Sequence, residues 1–222
     1  MIFSEEDYHV AHLSAQLAKA MGYDNRTAED IGFAAKWHDI GKRFVPPTIL
    51  NKPSKLTDEE YAVIKTHTEL GHRIVSQSFF GRLGVITKEV CLLHHENYDG
   101  SGYYGISHWD TPLYVQIVHL VDVYVALHSK RSYKEPWSDQ QIITYLTAQS
   151  GKMFNPALVA VFLSLLDTTG AESTPGGIYE TTQTANPTLT HEFSSHAKKE
   201  NTPSTGYSDG RSHATLSPHG TG

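Results

Sequence analysis

The chain has 222 residues, which allows one domain with an extension or two small domains. Its 18 Lys and Arg against 24 Asp and Glu give a formal charge of −6, and such a chain binds long nucleic acid poorly because that binding needs many basic contacts to phosphate. A single cysteine and the lack of a long apolar run exclude an internal disulfide, a Cys-rich zinc module and a transmembrane helix.

The first residues, MIFSEEDYHV, lack the basic and apolar regions of a secretory signal, so we expect a cytoplasmic protein. Ser4 followed three residues later by Asp7 predicts the cap of a first helix that runs to Met21 and stops at Gly22. The apolar spacing predicts a second helix over about Thr27–Trp37.

The rest of the body predicts further helices, each marked by a capping signal or by a helical apolar period. A Gly- and Tyr-rich segment, residues 97–108, is expected to form a loop between two of them. The helices are expected from a capping box at Thr57–Glu60 to about Ser76, over Val85–His95, over the apolar run Leu113–Leu127, after a cap at Ser138, and from Asn155-Pro156 onward.

No segment alternates apolar and polar residues as a strand does, so the predicted fold is all-α. We expect about seven or eight helices in one bundle-like domain, residues 1–167. The composition changes after it, since Gly, Ser, Thr and Pro supply 30 of the 55 residues in 168–222. Such a segment cannot bury enough apolar surface to offset its ordering entropy, so we predict a disordered tail over 168–222.

The dipeptide His38-Asp39 at a predicted helix end is the first candidate for chemistry. A neutral imidazole beside a carboxylate can ligate a divalent ion, and the carboxylate can bridge two ions. Lys42, one turn later, would face the same site and could pair with a phosphate oxygen. The dipeptide alone is weak evidence, because a histidine at a helix end is also favoured by the helix dipole.

The second candidate is the segment HHENYDGSGY at residues 94–103. Burying His94 and His95 without partners is costly, and metal ligation would satisfy both. The glycines that follow, Gly100 and Gly102, would let the backbone of the turn approach a ligand closely.

Two single residues in predicted helices add to these motifs. His67 is followed four residues later by Gly71, which clears space on the same helix face. Asp122 interrupts an apolar helix, where a lone carboxylate must be paired or bound to a metal ion. An ion pair with Arg131 is the alternative, and the other candidate ligands in the chain favour metal.

Four elements follow one another along the chain: His38-Asp39-x-x-Lys42, His67, the HHExxDGxGY motif, and Asp122 followed by Arg131-x-Tyr133. In this order they resemble an HD-GYP domain, a subgroup of the HD phosphohydrolase superfamily. The resemblance covers roughly residues 5–166. It implies an all-α fold and a centre of two or three divalent ions, usually Fe or Mn. It also implies hydrolysis of cyclic di-GMP by metal-activated hydroxide to linear pGpG, with GMP as the potential second product.

The resemblance further implies roles for individual residues. Asp39 would bridge two ions and act in catalysis with Lys42. The substrate phosphate would be contacted by Lys42, Arg131 and Tyr133. The loop with Gly100, Gly102 and Tyr103 would shape the guanine-binding groove and serve for contact with a protein partner. The implied metal ligands are His38, Asp39, His67, His94, His95 and Asp122.

Glu5 and His9 lie four residues apart and therefore share one helix face. Their spacing alone favours a solvated surface. The pair matches the N-terminal ligands of the HD-GYP subgroup with three metals, so both are expected as metal ligands. His12 is the rival for the position of His9.

Two positions depart from the HD-GYP pattern: Tyr104 stands in place of proline, and Val125 in place of a second acidic or amide residue. Without the proline, which restricts the backbone, the loop is expected to be less rigid. Two alternatives stay open. One is another HD-type phosphohydrolase acting on cyclic GMP-AMP, an alarmone or a deoxynucleotide. The other is a catalytically weak module that binds a cyclic dinucleotide or a protein. The oligomeric state is left open.

Overall fold

A computed structural model describes residues 2–78, 80–129 and 135–168. These residues form eight α-helices and no strand, which confirms the predicted all-α class. The helices are α1 (Glu5–Ala20), α2 (Asn25–Lys36), α3 (Pro47–Leu50), α4 (Asp58–Gln77), α5 (Leu83–Leu93), α6 (Leu113–His128), α7 (Asp139–Ala148) and α8 (Pro156–Thr168), with a 3₁₀ segment at Ile40–Phe44. Arg131, Tyr133 and the predicted tail beyond Thr168 lie outside the described residues.

Reciprocal side-chain caps set the start of three helices, at the places that the sequence predicts. At α1 the amide of Asp7 donates to Ser4 Oγ at 3.1 Å, and the amide of Ser4 donates to the Asp7 carboxylate at 2.7 Å. Each box satisfies two amides that the first turn of a helix leaves unpaired. The same exchange occurs between Thr57 and Glu60 at α4 and between Ser138 and Gln141 at α7.

Two helices begin earlier than predicted. Helix α2 starts at Asn25 because the amide of Thr27 donates to the Asp24 side chain at 3.0 Å, so Asp24 is its cap. Helix α5 covers Leu83–Leu93 rather than Val85–His95. The two histidines of the second motif therefore lie in the turn that follows α5.

Helix α6 forms the centre of the fold, as its apolar sequence predicts. Nine of its residues are buried, and Ile117, Val118, Leu120 and Val121 have no exposed surface. It packs against α1, α5, α7 and α8, while α1 also packs on α2 and α4 on α5. Across the described part of the chain, no helix combines the length and the apolar character that a bilayer crossing needs.

Two glycines bring the 3₁₀ segment into backbone contact with α4. A Cβ atom on Gly41 would lie 1.9 Å from the carbonyl oxygen of His67 and 2.7 Å from the amide of Gly71. A Cβ atom on Gly71 would lie 3.2 Å from Cys91 Cβ on α5. Gly71 thus leaves room on the His67 face of α4, as its spacing predicts, and Asp39 at the start of the 3₁₀ segment comes beside His67.

Candidate metal centre

Four segments of the fold carry six imidazole and carboxylate side chains into one buried cluster. The turn after α2, the middle of α4, the turn after α5 and the centre of α6 contribute them. The six are His38, Asp39, His67, His94, His95 and Asp122. Ligand atoms of Asp39, His67, His94 and His95 all lie within 4.8 Å of one another. His38 Nε2 joins them at 3.2 Å from Asp39 Oδ2 and 3.4 Å from Asp122 Oδ1.

Backbone hydrogen bonds define the tautomer of three of these histidines. The Nδ1 atoms of His38, His67 and His94 lie 2.7, 2.6 and 2.9 Å from the carbonyl oxygens of Ala35, Ile64 and Val90. A carbonyl only accepts, so each Nδ1 carries a proton and each Nε2 faces the cluster, where it can ligate a metal ion once its ring is neutral. The Nε2 atoms of His67 and His94 are 3.4 Å apart, a distance at which two lone pairs need a cation or a proton between them.

The carboxylate of Asp39 lies in the middle of the cluster. Its Oδ1 is 3.3 Å from His67 Nε2 and 3.6 Å from His94 Nε2, yet this atom is buried and no donor among the described residues reaches it in hydrogen-bonding geometry. Its Oδ2 contacts His38 and the Lys42 ammonium. Imidazole nitrogens around a largely buried carboxylate are the ligands that divalent transition metals accept, so the cluster fits such ions.

Asp39 and Asp122 determine the charge that His38 carries when no metal ion is bound. Burial opposes a charge on His38, but Asp39 and Asp122 outweigh it and raise the pKa of His38 well above its usual value. Burial opposes the charge on Asp39 as well, and Lys42 and His38 nevertheless hold its pKa well below the usual range. The pKa of Asp122 is lowered against burial chiefly by His38. A metal ion would therefore displace a proton from His38.

Two further imidazoles of the cluster, His94 and His95, favour the neutral form because they are buried. Burial lowers the pKa of His94, and burial together with the neighbouring imidazoles lowers that of His95 well below its usual value. Neutral rings are the form that ligates metal. A further buried ring, His119 on α6, has its pKa lowered to about 4 by burial. The apolar run around His119 is the sequence signal that would have marked it as buried.

Glu5 and His9 share a face of α1, as predicted, and both are exposed. The group of four close ligands includes neither of them. Partial burial and the imidazoles of His12 and His128 lower the pKa of His9. Their role as metal ligands therefore stays a prediction.

Glu96 is a site residue to which the sequence motif assigned no role. Its side chain is buried, and its Oε1 and Oε2 accept the backbone amides of Tyr104 and Ile106, each at 2.7 Å. The Gly- and Tyr-rich loop also packs closely on the turn after α5 that carries His94 and His95. A Cβ atom on Gly102 would come within 2.5 Å of Glu96 Cα, so the two backbones are nearly in contact. The only signal in the sequence was the position of Glu96 next to His95.

Tyr103 connects this loop to the cluster. Its ring centroid is 4.5 Å from that of His95, and its phenol is hydrogen-bonded to Tyr61. Lys65 Nζ donates to the Tyr103 carbonyl at 2.8 Å and lies 4.8 Å from the ring centroid. The loop predicted from its glycines and tyrosine therefore forms a wall beside a candidate ligand, while its contacts to substrate stay a prediction.

The fold and this cluster define a class: an all-helical protein with a buried His/Asp centre suited to divalent metal ions. The family model of the HD domain matches residues 2–158. The chain therefore belongs to the HD domain family, and the resemblance to HD-GYP proteins is confirmed by its relatives and its fold. Divalent metal binding follows from the family and from the cluster together.

Three comparisons show the relatives of the chain. It is 41% identical over 159 residues to a 3'3'-cGAMP-specific phosphodiesterase 2 of Vibrio cholerae, covering 71% of this chain and 30% of that protein. It is 38% identical over 157 residues to the cyclic di-GMP phosphodiesterase response regulator RpfG of Xanthomonas campestris, covering 69% and 41%. The chain spans less than half the length of both relatives. The fold resembles an HDG"Y"P protein from Bdellovibrio bacteriovorus, with a TM-score of 0.59, 18% identity and coverage of 73% and 51%.

Proposed function

We propose that this chain is a metal-dependent phosphodiesterase that hydrolyses cyclic di-GMP to linear pGpG. The observation that carries the proposal is the pair of Nε2 atoms on His67 and His94, 3.4 Å apart beside the buried Oδ1 atom of Asp39. Such a donor set is stable only around a cation or a proton. Relatives that are 38% to 41% identical are named phosphodiesterases of cyclic dinucleotides, which supports the substrate class.

In this proposal the clustered side chains bind the metal ions, and Lys42 binds the substrate phosphate. His38, Asp39, His67 and their neighbours would hold the ions, with Asp39 as the bridging ligand. When bound, divalent ions stabilise negative charge on a phosphate and lower the pKa of water. Lys42 would bind a phosphate oxygen, and its contact with the Asp39 carboxylate supports this role because it holds the ammonium beside the cluster. The phosphoryl chemistry then depends on positioning and charge stabilisation, and no covalent intermediate with the protein is needed.

The proposed cofactor is a set of two or three Fe or Mn ions. The six clustered residues would hold two ions, and a third would require Glu5 and His9 from α1. Elemental analysis of anaerobically purified protein counts the ions directly. Replacement of His9 by Gln should lower the metal count if three ions bind and leave it unchanged if two do.

The function is tested by incubating the full chain, loaded with Mn(II) or Fe(II), with cyclic di-GMP and separating the products by chromatography. We expect pGpG first and follow the mixture for GMP. An Asp39→Asn variant is the matched control, because it keeps the shape of the side chain and removes its charge. Absence of cleavage at every metal loading would rule out the proposed activity.

Cyclic GMP-AMP is the second candidate substrate, and one observation favours it. A relative with 41% identity is named for specificity toward 3'3'-cGAMP. A panel of cyclic di-GMP, 3'3'-cGAMP, an alarmone and a deoxynucleotide under identical metal loading decides between them by kcat/KM. Tight binding of a cyclic dinucleotide without turnover would instead favour a signalling module.

We also propose a cytoplasmic location and a protein partner that binds through the Gly-Tyr loop. Trp109, which follows this loop, is 85% exposed, and exposed tryptophans are enriched at protein contacts. A Trp109→Ala variant with unchanged turnover of cyclic dinucleotide but weaker capture of the partner would support this role.

A further inference from the structure

Tyr104 stands where the HD-GYP pattern has proline, and it makes two contacts that proline cannot make. Its backbone amide donates to Glu96 Oε1 at 2.7 Å. Its phenolic oxygen lies 2.6 Å from Thr68 Oγ1 on α4. Proline has neither an amide hydrogen nor a hydroxyl group. The expected loss of rigidity at this position is therefore opposed by hydrogen bonds.

Both contacts end on segments that carry candidate metal ligands. Thr68 follows His67 directly on α4 and has no exposed surface. Glu96 follows His95 directly in the turn after α5 and is 3% exposed. Tyr103 lies in the chain between Gly102 and Tyr104, and its ring packs on His95.

We propose that Tyr104 is a positioning residue: its amide and its phenol hold the loop of residues 100–106, and with it Tyr103, against the two segments that carry His67 and His95. The loop of this chain is thus held by hydrogen bonds where the HD-GYP pattern uses the rigid proline ring. The kinetic test below rests on the proposed function, and the exchange test does not.

The two contacts differ in what their loss leaves behind. Without the phenol, Thr68 Oγ1 still donates to the Lys65 carbonyl at 2.9 Å. Without the amide of Tyr104, the buried Oε1 of Glu96 loses its hydrogen-bond donor. This loss destabilises the loop more than losing the phenol contact does, because the Tyr104 ring is half-exposed and water can replace its partner. Restoring the family proline should therefore disturb this loop more than removing the phenol does.

The direct test is hydrogen exchange in the backbone of residues 100–106 in the full metal-free chain. Tyr104→Phe should speed exchange about fivefold, the factor that corresponds to a net hydrogen bond of about 1 kcal/mol. Tyr104→Pro should speed it further at Ile106, whose amide shares the Glu96 carboxylate. Tyr8→Phe on α1, an exposed tyrosine of the same size, is the control and should leave the loop unchanged.

A double-mutant cycle ties the effect to the phenol contact. Thr68→Val removes this bond and also the one from Thr68 Oγ1 to the Lys65 carbonyl, so each single variant should speed exchange. The double variant should exchange more slowly than the product of the two single effects, because the bond that both variants remove is lost only once. Strictly additive effects would overturn the assignment of this contact. Loop exchange in Tyr104→Pro at or below the wild-type rate would overturn the proposal, since proline would then hold the loop equally well.

The kinetic test separates positioning from general stability. With the Mn(II)-loaded chain and cyclic di-GMP, Tyr104→Phe should raise KM several-fold while kcat changes by less than about twofold, because a looser loop weakens substrate binding without altering the ligands. Equal KM values for wild type and variant would contradict the proposal that Tyr104 positions the loop of residues 100–106 for substrate binding. If the wild type cleaves no substrate, the proposed function fails, while the exchange result still decides the role of Tyr104.

Discussion

The backbone contact at Gly41 makes Gly41→Ala a sharp test of how the centre is assembled. The added Cβ atom would lie 1.9 Å from the His67 carbonyl oxygen, whereas ordinary contacts begin near 3.4 Å, so the 3₁₀ segment must move by about 1.5 Å. Overpacking of this kind costs about 1–3 kcal/mol of stability. The movement would also carry Asp39 away from His67, and a 1 Å misplacement in an active site can cost about a hundredfold in rate.

We therefore expect Gly41→Ala to lower the affinity for Mn(II) by at least about tenfold, which equals about 1.4 kcal/mol. Isothermal titration calorimetry on the metal-free chain measures it, with thermal unfolding recorded in parallel. Gly84→Ala is the matched control, because its Cβ atom would meet only Phe80 Cβ at an ordinary 3.5 Å. If Gly41→Ala bound Mn(II) as tightly as Gly84→Ala, close packing of the 3₁₀ segment on α4 would not be what positions Asp39.

Four further predictions concern single side chains. Asp39→Asn should remove bound metal and activity together, since one oxygen of Asp39 lies beside His67 and the other contacts Lys42; metal retained in elemental analysis would refute the bridging role. Lys42→Met should keep the metal but lower kcat/KM about 10- to 100-fold, which steady-state kinetics can check. Because Asp39 and Asp122 outweigh burial and raise the pKa of His38 well above its usual value, Mn(II) binding should release a proton from this ring and should tighten as pH rises; calorimetry in buffers of different ionisation enthalpy measures this release. Burial lowers the pKa of His119 to about 4 in the folded chain, against about 6.5 when it is unfolded, so between these values the unfolded chain binds a proton that the folded chain does not. The free energy of unfolding should therefore fall by about 3 kcal/mol between pH 6.5 and pH 4, and urea unfolding of His119→Gln should show a smaller fall.

The sequence alone determined most of the local structure. The three capping boxes and the buried helix α6 depend on residues a few positions apart, and their physical causes, hydrogen-bonded caps and apolar periodicity, act within one element. The ordered motif around His38-Asp39 and His94-His95 was enough to indicate the family. The early start of α2 was missed because Asp24 was not recognised as a cap.

Only the tertiary structure decided which of these side chains share one centre. Spacing along the chain placed Glu5 and His9 on one face as well as it placed any other pair, but it carries no information about the distance between helices. That distance is set by long-range packing, such as the contact of Gly41 with α4 that brings Asp39 beside His67. The hydrogen bonds of Tyr104 likewise join residues 36 and 8 positions away, so a pattern that records only the missing proline could not show what replaces it.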